Sequence, residues 1–380
     1  MQFKQIVGQD AVKQRLLNSV KENRVSHAQL FLGPEGSGSL ALAVAYAQYV
    51  SCENRQSEDS CGECASCRKY QKLMHPDLHF SYPFFAKHKD DTALSFIEEW
   101  REAFGANPYI SLDVWRGYLE AENKQANINI AECHQIIKKL SLKPFESIYK
   151  ILILWLPEYL DKTGNALLKI IEEPQPNTLF LLVAENQDQI LNTILSRTQL
   201  VKIPCLNYND VRDYLIEHGQ PKAAAEQAAY LSNGNLTEAL QFLQQEEDSY
   251  HGLFVKWLRC CITNNKEGEM FKLVEQLAKM GRENQKNFLR YGISFLRECC
   301  LINAGAEQLV HLPQAEMELA QKMAKAIAIA PAEAISAELE KAHYHIERNA
   351  NPKILFLDVS LQIIKILVFK TLPKGTQYIT

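Results

Sequence analysis

An excess of charge of one sign is the first thing this 380-residue chain lacks. Its 41 Lys and Arg against 45 Asp and Glu leave a formal net charge of −4. With so even a balance, a dominant nucleic-acid-binding surface is not expected. Long hydrophobic runs are missing too. The most apolar stretch, Ile354 to Phe369, is broken by Asp358, Gln362 and Lys365 and is short of the ~20 residues of a membrane span. It reads as a buried amphipathic helix, and no membrane partner is expected. Met1-Gln-Phe-Lys4 carries no apolar signal core, which predicts a cytoplasmic location. No repeat of fixed period and no low-complexity tract is present. No Ser–His–Asp or Cys–His set stands out for nucleophilic catalysis. What is left is 47% hydrophobic and 23% charged, an ordinary globular composition. The length allows about two or three domains.

One stretch organises the rest: Phe31-Leu-Gly-Pro-Glu-Gly-Ser-Gly-Ser-Leu40. It follows an apolar run, His27 to Leu32, that predicts a strand, and it precedes Ala41–Val50, which predicts a helix. Strand, Gly-rich turn and helix are the setting of a phosphate-binding loop, G-x-x-x-x-G-K-[ST]. Gly33 and Gly38 have the spacing. The lysine position holds Ser39 and the hydroxyl position holds Leu40. The lysine is a point cation for the β- and γ-phosphates, and the hydroxyl is a magnesium ligand. Losing one such cation forfeits about 4 kcal/mol at ~4 Å and an effective dielectric of ~20. Glu35 adds a negative charge to the same loop. A chance Gly-rich turn is the competing reading of the loop alone.

Along the chain, Gln9–Asn23 places Val12, Leu16, Leu17 and Val20 on one helical face. His75–Phe80 reads as extended. Residues from about 82 to 127 are polar, aromatic and irregular. They read as an insertion, partly helical around Leu94–Phe104. Ile130–Leu140 is helical with Ile130, Ile136, Ile137 and Leu140 toward the core. Tyr149–Trp155 and Asn177–Val183 are continuous apolar runs, as buried parallel strands should be. Thr163–Glu173 predicts a helix closed by Pro174, Ile190–Ser196 a short helix and Leu200–Ile203 a last strand. This alternation up to about Cys205 predicts a parallel α/β sheet. Three helices follow, Asn209–His218, Ala223–Ser232 and Leu236–Gln244, and the chain is all helix from about Glu247 to Leu372.

Four of the ten cysteines cluster. In a reducing compartment that points to metal rather than disulfides. Cys52, Cys61, Cys64 and Cys67 have the spacing C-x8-C-x2-C-x2-C, which lets four thiolates converge. Four sulfurs at about 2.3 Å suit structural Zn²⁺ and leave no open position for catalysis. Short C-x2-C steps also occur in iron–sulfur ligation, where the last cysteine usually precedes a proline. Cys260/Cys261 and Cys299/Cys300 are adjacent pairs in helical stretches and read as core residues. His75 and His79 read as structural.

In order, Ile6-Val-Gly-Gln9, Ser26-His-Ala-Gln-Leu-Phe31, Gly33-Pro34, His75-Pro-Asp-Leu78, Asn165-Ala-Leu-Leu-Lys169, Glu172-Glu-Pro174, Ile194-Leu-Ser-Arg197 and Asn349-Ala-Asn-Pro-Lys353 resemble the clamp-loader branch of the AAA+ ATPases. Each motif is weak alone; the ordered set is specific and covers nearly the whole chain outside 82–127. The resemblance implies an AAA+-type α/β P-loop domain with a parallel sheet (residues 1–205), carrying a zinc module at about 52–67 and the 82–127 insertion. It implies a helical lid at 206–246 and an all-α collar and oligomerisation domain at 247–380.

The family's nucleotide residues fall on Ser39, near Trp155 and Leu156, and on Thr237 within Gly234-Asn-Leu-Thr-Glu-Ala239. Glu158 and Asp161 are nearby acids out of register. With all three elements replaced, no ATP is expected to bind and the isolated chain is expected to lack ATPase activity. Ser196-Arg197 matches the family's Ser-Arg-Cys motif, with Thr198 in the cysteine's place. The resemblance implies that Arg197 acts in trans on a neighbouring subunit's ATP; by itself the sequence also fits a solvated arginine at a helix end. It further implies Zn²⁺ on the four cysteines. The implied role is a non-hydrolysing stator in the clamp loader of DNA polymerase III. Its partners would be gamma/tau-type ATPases and a delta subunit, with the sliding clamp reached indirectly and primer-template DNA through the assembly. A gamma/tau-type ATPase tolerating Ser39, and a zinc-binding regulator outside replication, are the alternatives.

Overall fold

The computed structural model describes residues 1–371 other than 87, 89, 122–124, 245–249, 264–267, 311, 313 and 349. The expected lid–collar boundary at 246/247, Asn349 of the C-terminal motif and Leu372 lie outside the described residues.

Helix α1 (Asp10–Lys21) leads to strand β1 (Ala28–Leu32), and α2 (Ser39–Ser51) leaves the Gly-rich turn that follows it. Helix α3 (Ala65–Gln71) and β2 (Leu78–Ser81) come next, then α4 (Ile97–Ala106), α5 (Leu112–Tyr118) and α6 (Ile130–Leu140). Strand β3 (Lys150–Trp155), helix α7 (Leu168–Glu172), β4 (Thr178–Ala184), α8 (Asn192–Leu195) and β5 (Gln199–Lys202) complete the α/β part. The five strands form one sheet in the order β2-β3-β4-β1-β5. Every pairing is parallel, with Ala28 opposite Phe180, Gln29 opposite Gln199, Leu78 opposite Ile151 and Lys150 opposite Thr178. The expected parallel α/β architecture is what the chain adopts.

The apolar runs of β3 and β4 are continuous because both faces of the sheet are covered. Alternate residues go to opposite sides. Phe31, Ile151, Ile153, Leu179 and Leu181 join a core with α1, α2 and the 82–127 region. Leu30, Leu152, Leu154, Phe180 and Leu182 join a second core with α6, α7 and α8. The 82–127 region is therefore integral to the domain. Its Trp100 stacks on Tyr82 at 4.1 Å and lies 5.2 Å from Trp155 at the end of β3. Trp115 meets Trp100 edge-on at 5.4 Å and donates its ring N–H to the Pro83 carbonyl at 2.7 Å. Helix α5 was not expected from its sequence.

Two further expectations need correction. Ile130 is 45% exposed; Cys133 fills the core position one turn on, and Ile136 and Leu140 continue it. Thr163–Glu173 is not one helix. A 3₁₀ segment runs over Pro157–Leu167, with Asp161 at φ 49°, and only Leu168–Glu172 is α-helical. The Thr163 hydroxyl donates to the Ile128 and Leu160 carbonyls, which competes with regular helical bonding.

The later helices are α9 (Tyr208–Glu217), α10 (Lys222–Leu231), α11 (Leu236–Gln244), α12 (Tyr250–Thr263), α13 (Glu269–Lys279), α14 (Arg282–Asn303), α15 (Gln314–Ala326), α16 (Ile329–Glu347) and α17 (Pro352–Leu367). The chain divides into two compact units: Met1–Gly219 with Ser232–Ala239, and Gln220–Leu231 with Leu240–Thr380. The first turn of α11 thus belongs with the α/β unit. The helical unit has its own core, where Trp257, Phe254, Phe288 and Phe356 pack edge to face. Among the described residues no helix is long and apolar enough to cross a membrane.

Candidate functional site

The Gly-rich turn leaves β1 at Leu32 and enters α2 at Ser39. Gly36 and Gly38 have φ of +71° and +87°, a region that costs other residues strain. Glycines at these positions therefore let the loop wrap as a phosphate loop does. Its side chains are otherwise engaged. The Ser39 hydroxyl lies 2.9 Å from that of Ser37. Leu40 is 5% exposed and part of the apolar core. Gln9 donates its side-chain amide to the Ser37 carbonyl at 3.0 Å and to that of Pro204 at 2.7 Å.

The space in front of the loop is a cavity of about 20 Å³, lined among others by Gly33, Glu35, Ser39, Tyr109, Trp155 and Glu185. That is room for about one water. Tyr109, from the 82–127 region, forms one of its walls. A Cβ added to Gly38 would stand 2.9 Å from its ring. Its hydroxyl accepts the Val7 N–H at 2.8 Å, and its carbonyl accepts the Thr237 hydroxyl.

The loop also faces a group of acidic side chains. Glu185, just beyond β4, reaches the surface but is crowded by its neighbours. Lost solvation first, then the charges of Glu35, Glu158 and Asp113, push its carboxyl up to about 8. At the end of β3, Trp155 and Leu156 are 3% and 2% exposed where the resemblance would place acids. Glu158 braces the chain end instead: its carboxylate accepts the N–H groups of Glu185 and Asn186 at 2.6 and 2.8 Å. Asp161 sits at the left-handed kink.

Arg197 follows α8. Its guanidinium donates to Glu172 at 3.2 and 3.3 Å, to the Thr193 carbonyl at 2.9 Å and to the Ser196 hydroxyl at 3.3 Å. Arg197 and Glu172 are 31% and 58% exposed, so the pair is a weak surface one, worth about 0–1 kcal/mol.

The four cysteines do converge. Cys52 ends α2, Cys61 and Cys64 lie in the following loop, and Cys67 is in the first turn of α3. All are free thiols, and their sulfurs lie within 4.8 Å of one another. Cys61 Sγ is 3.6 Å from Cys52 Sγ and 3.9 Å from Cys67 Sγ. Sulfurs held at ~2.3 Å around one tetrahedral centre stand about 3.8 Å apart. Backbone N–H groups of Cys61, Cys64 and Cys67 point at the sulfurs of Cys52, Cys61 and Cys64 at 3.3–3.4 Å, favouring thiolates. This donor set can hold a metal ion. The module is tied down by Asp59, which accepts the Phe3 and Lys4 N–H groups at 3.1 and 3.0 Å. His75 and His79 are not in the cluster. His75 Nδ1 accepts the Asp77 N–H at 3.1 Å. Asp77 in turn accepts the N–H groups of Phe145, Glu146 and Ser147 at 2.6–2.8 Å, so the His-Pro-Asp motif shapes the loop before β3.

The sequence profile described as "DNA polymerase III, delta subunit" matches residues 8–207, more than half of the chain. The chain belongs to the DNA polymerase III delta-subunit family. The delta′ subunit of Bacillus subtilis (strain 168) is 26% identical over 239 residues, 63% of this chain and 60% of that one. The delta′ subunit of Yersinia pestis is 24% identical over 331 residues, covering 85% and 81%. The tau subunit of Bacillus subtilis (strain 168) is 25% identical over 254 residues, covering 64% and 37%. The matched part of the chain thus spans about three fifths of the B. subtilis delta′ subunit and less of tau.

Within this delta-subunit family member, two residues of the site carry no motif. Tyr109 sits in an irregular stretch, Asn107-Pro-Tyr-Ile110, and only the fold carries it 71 positions back to Gly38. Glu185 is an acid directly after a buried strand; that position, at the open end of a parallel sheet where ligands bind, is its one sequence signal.

Proposed function

We propose that this chain is a clamp-loader subunit of DNA polymerase III that does not hydrolyse ATP, a stator that supplies Arg197 to the ATP site of a neighbouring subunit. The observation that carries this reading is the state of the phosphate loop. The glycine turn is kept, while Ser39 and Leu40 stand where the cation and the magnesium ligand would be, and Tyr109 packs against the turn at Gly38. The scaffold survives without the chemistry.

Arg197 is suited to the remaining role. A guanidinium is always charged and binds two oxygens of a transferring phosphoryl group at once. Its ion pair with Glu172 is cheap to exchange, so an incoming γ-phosphate can compete for it. The Thr193 carbonyl accepts from both the Ser196 hydroxyl and the Arg197 guanidinium, which holds the side chain against the end of α8. In this reading residues 206–246 act as a lid and 247–380 as the collar. The partners are gamma/tau-type ATPases and a delta subunit, in the cytoplasm. The sliding clamp is reached indirectly, and primer-template DNA is met through the assembled complex.

Cys52, Cys61, Cys64 and Cys67 hold one Zn²⁺ in this proposal. The four sulfurs complete its coordination, so it supplies folding energy and no catalysis.

The similarity to tau favours one second reading, a gamma/tau-type ATPase. Titrating the isolated chain with a fluorescent ATP analogue in magnesium separates the two. The expected outcome is no saturable binding at micromolar analogue. Saturable binding that unlabelled ATP abolishes would sink the non-hydrolysing reading.

A further inference from the structure

We infer that Tyr109 takes the structural place of a bound nucleotide, joining the N-terminal segment, the phosphate loop and the start of α11 into one fixed assembly that ATP does not govern. This rests on the reading of the chain as a subunit without bound ATP, and it adds what holds the emptied site together.

A phosphate loop is a row of backbone groups shaped around an anion. Left vacant, such a loop keeps its glycine freedom and loses the partner that ordered it. Here one residue meets three separate segments. The Tyr109 hydroxyl accepts the Val7 N–H at 2.8 Å, 102 positions away. Its carbonyl accepts the buried Thr237 hydroxyl, 128 positions away. Its ring closes on Gly38, where a Cβ would come within 2.9 Å. Tyr109 itself is 4% exposed.

The start of α11 completes a ring of contacts. The Leu236 N–H donates to the Gly36 carbonyl at 3.2 Å, and Asn235 donates its side-chain amide to Glu35 at 3.2 Å. A Cβ on Gly36 would run into the Asn235 side chain. The path therefore runs from Tyr109 to Gly38 and Gly36, on to Leu236 and Thr237, and back to Tyr109. Every member lies in the same compact unit, in which Ser232–Ala239 groups with Met1–Gly219. A nucleotide would supply such links only while bound; here the Tyr109 side chain holds Val7 and Gly38, and its backbone carbonyl holds Thr237, permanently.

Hydrogen–deuterium exchange on the full chain tests this, with Tyr109→Phe and Tyr109→Ala. Tyr109→Phe removes one hydroxyl and leaves the buried Val7 N–H without its acceptor, so exchange at Val7 should rise roughly tenfold or more. Exchange at Gly33–Leu40 and Ser232–Ala239 should stay as in the wild type. Tyr109→Ala keeps the carbonyl that Thr237 reaches, so it should speed exchange at Val7 and in Gly33–Leu40 while β3 and β4 remain protected. Adding Mg·ATP to the wild type should change none of them. Unchanged exchange at Val7 in Tyr109→Phe would overturn the inference even if Tyr109→Ala fails to fold. So would wild-type protection of the loop in a folded Tyr109→Ala protein. Protection of the wild-type loop by Mg·ATP would instead overturn the underlying reading of the subunit.

Discussion

At the residue scale, the phosphate-loop site combines a kept backbone with replaced side chains. Gly36 and Gly38 hold the turn, and Ser39, Leu40 and Trp155 stand where the proposed reading finds the nucleotide chemistry replaced. Glu185 gives this a pH signature. In the folded chain its carboxyl is raised to about 8, while in the unfolded chain it ionises near the ordinary ~4.3. Between those values the folded state holds a proton that the unfolded state has released. Stability therefore falls as pH rises through that window. Glu185→Gln should melt close to the wild type at pH 5 and progressively higher than it toward pH 9, by calorimetry. A difference in melting temperature that ignores pH would contradict the assignment. Ser39, Leu40 and Arg197 were legible in the sequence because each sits in a motif of fixed spacing. Tyr109 was not, because its meaning comes from Val7, Gly38 and Thr237, all brought to it by the fold.

At the element scale, the buried strands were the most legible parts. A strand covered on both faces must be apolar at every position, and β3 and β4 are. The stretch after β3 misled the helical reading. Its periodicity is helical, but Leu156 and Asp161 in left-handed conformations and the close packing of Gly164 on Leu160, Leu191 and Ile194 tighten it into 3₁₀ turns. The 82–127 region was legible as aromatic, with a helix expected around Leu94–Phe104 that the structure has at Ile97–Ala106. What those aromatics do, packing Trp100 against Trp155 with Trp115 edge-on to Trp100, follows from a sheet face that the sequence does not announce. The cysteine module is the opposite case. Its spacing alone brings four sulfurs together, and Cys61 Sγ stands 3.6 Å from Cys52 Sγ and 3.9 Å from Cys67 Sγ. Protein purified without added metal should carry zinc near one equivalent per chain by elemental analysis. Cys64→Ser should lose most of it and loosen the segment from Cys52 to Cys67, since binding of structural zinc, about 10–16 kcal/mol in small domains, is folding energy. Iron with visible absorption, or well-folded protein without metal, would contradict the zinc assignment.

At the scale of the whole molecule, the α/β unit and the helical unit have separate cores, which suits a subunit that joins an assembly through one part and presents a site with another. The central claim is that its one contribution to phosphoryl transfer is made in trans. The deciding measurement is steady-state ATP hydrolysis and clamp loading by a complex reconstituted with gamma/tau-type and delta subunits, clamp and primed DNA, containing Arg197→Ala. Assembly should be intact. Hydrolysis at the one interface served by Arg197 should fall by ~10³–10⁵, with total turnover falling less unless the sites fire in sequence. Arg197→Lys should rescue only in part, because an ammonium lacks the planar two-point contact. Wild-type rates of hydrolysis and loading in a fully assembled Arg197→Ala complex would contradict the account and leave Arg197 a surface residue paired with Glu172.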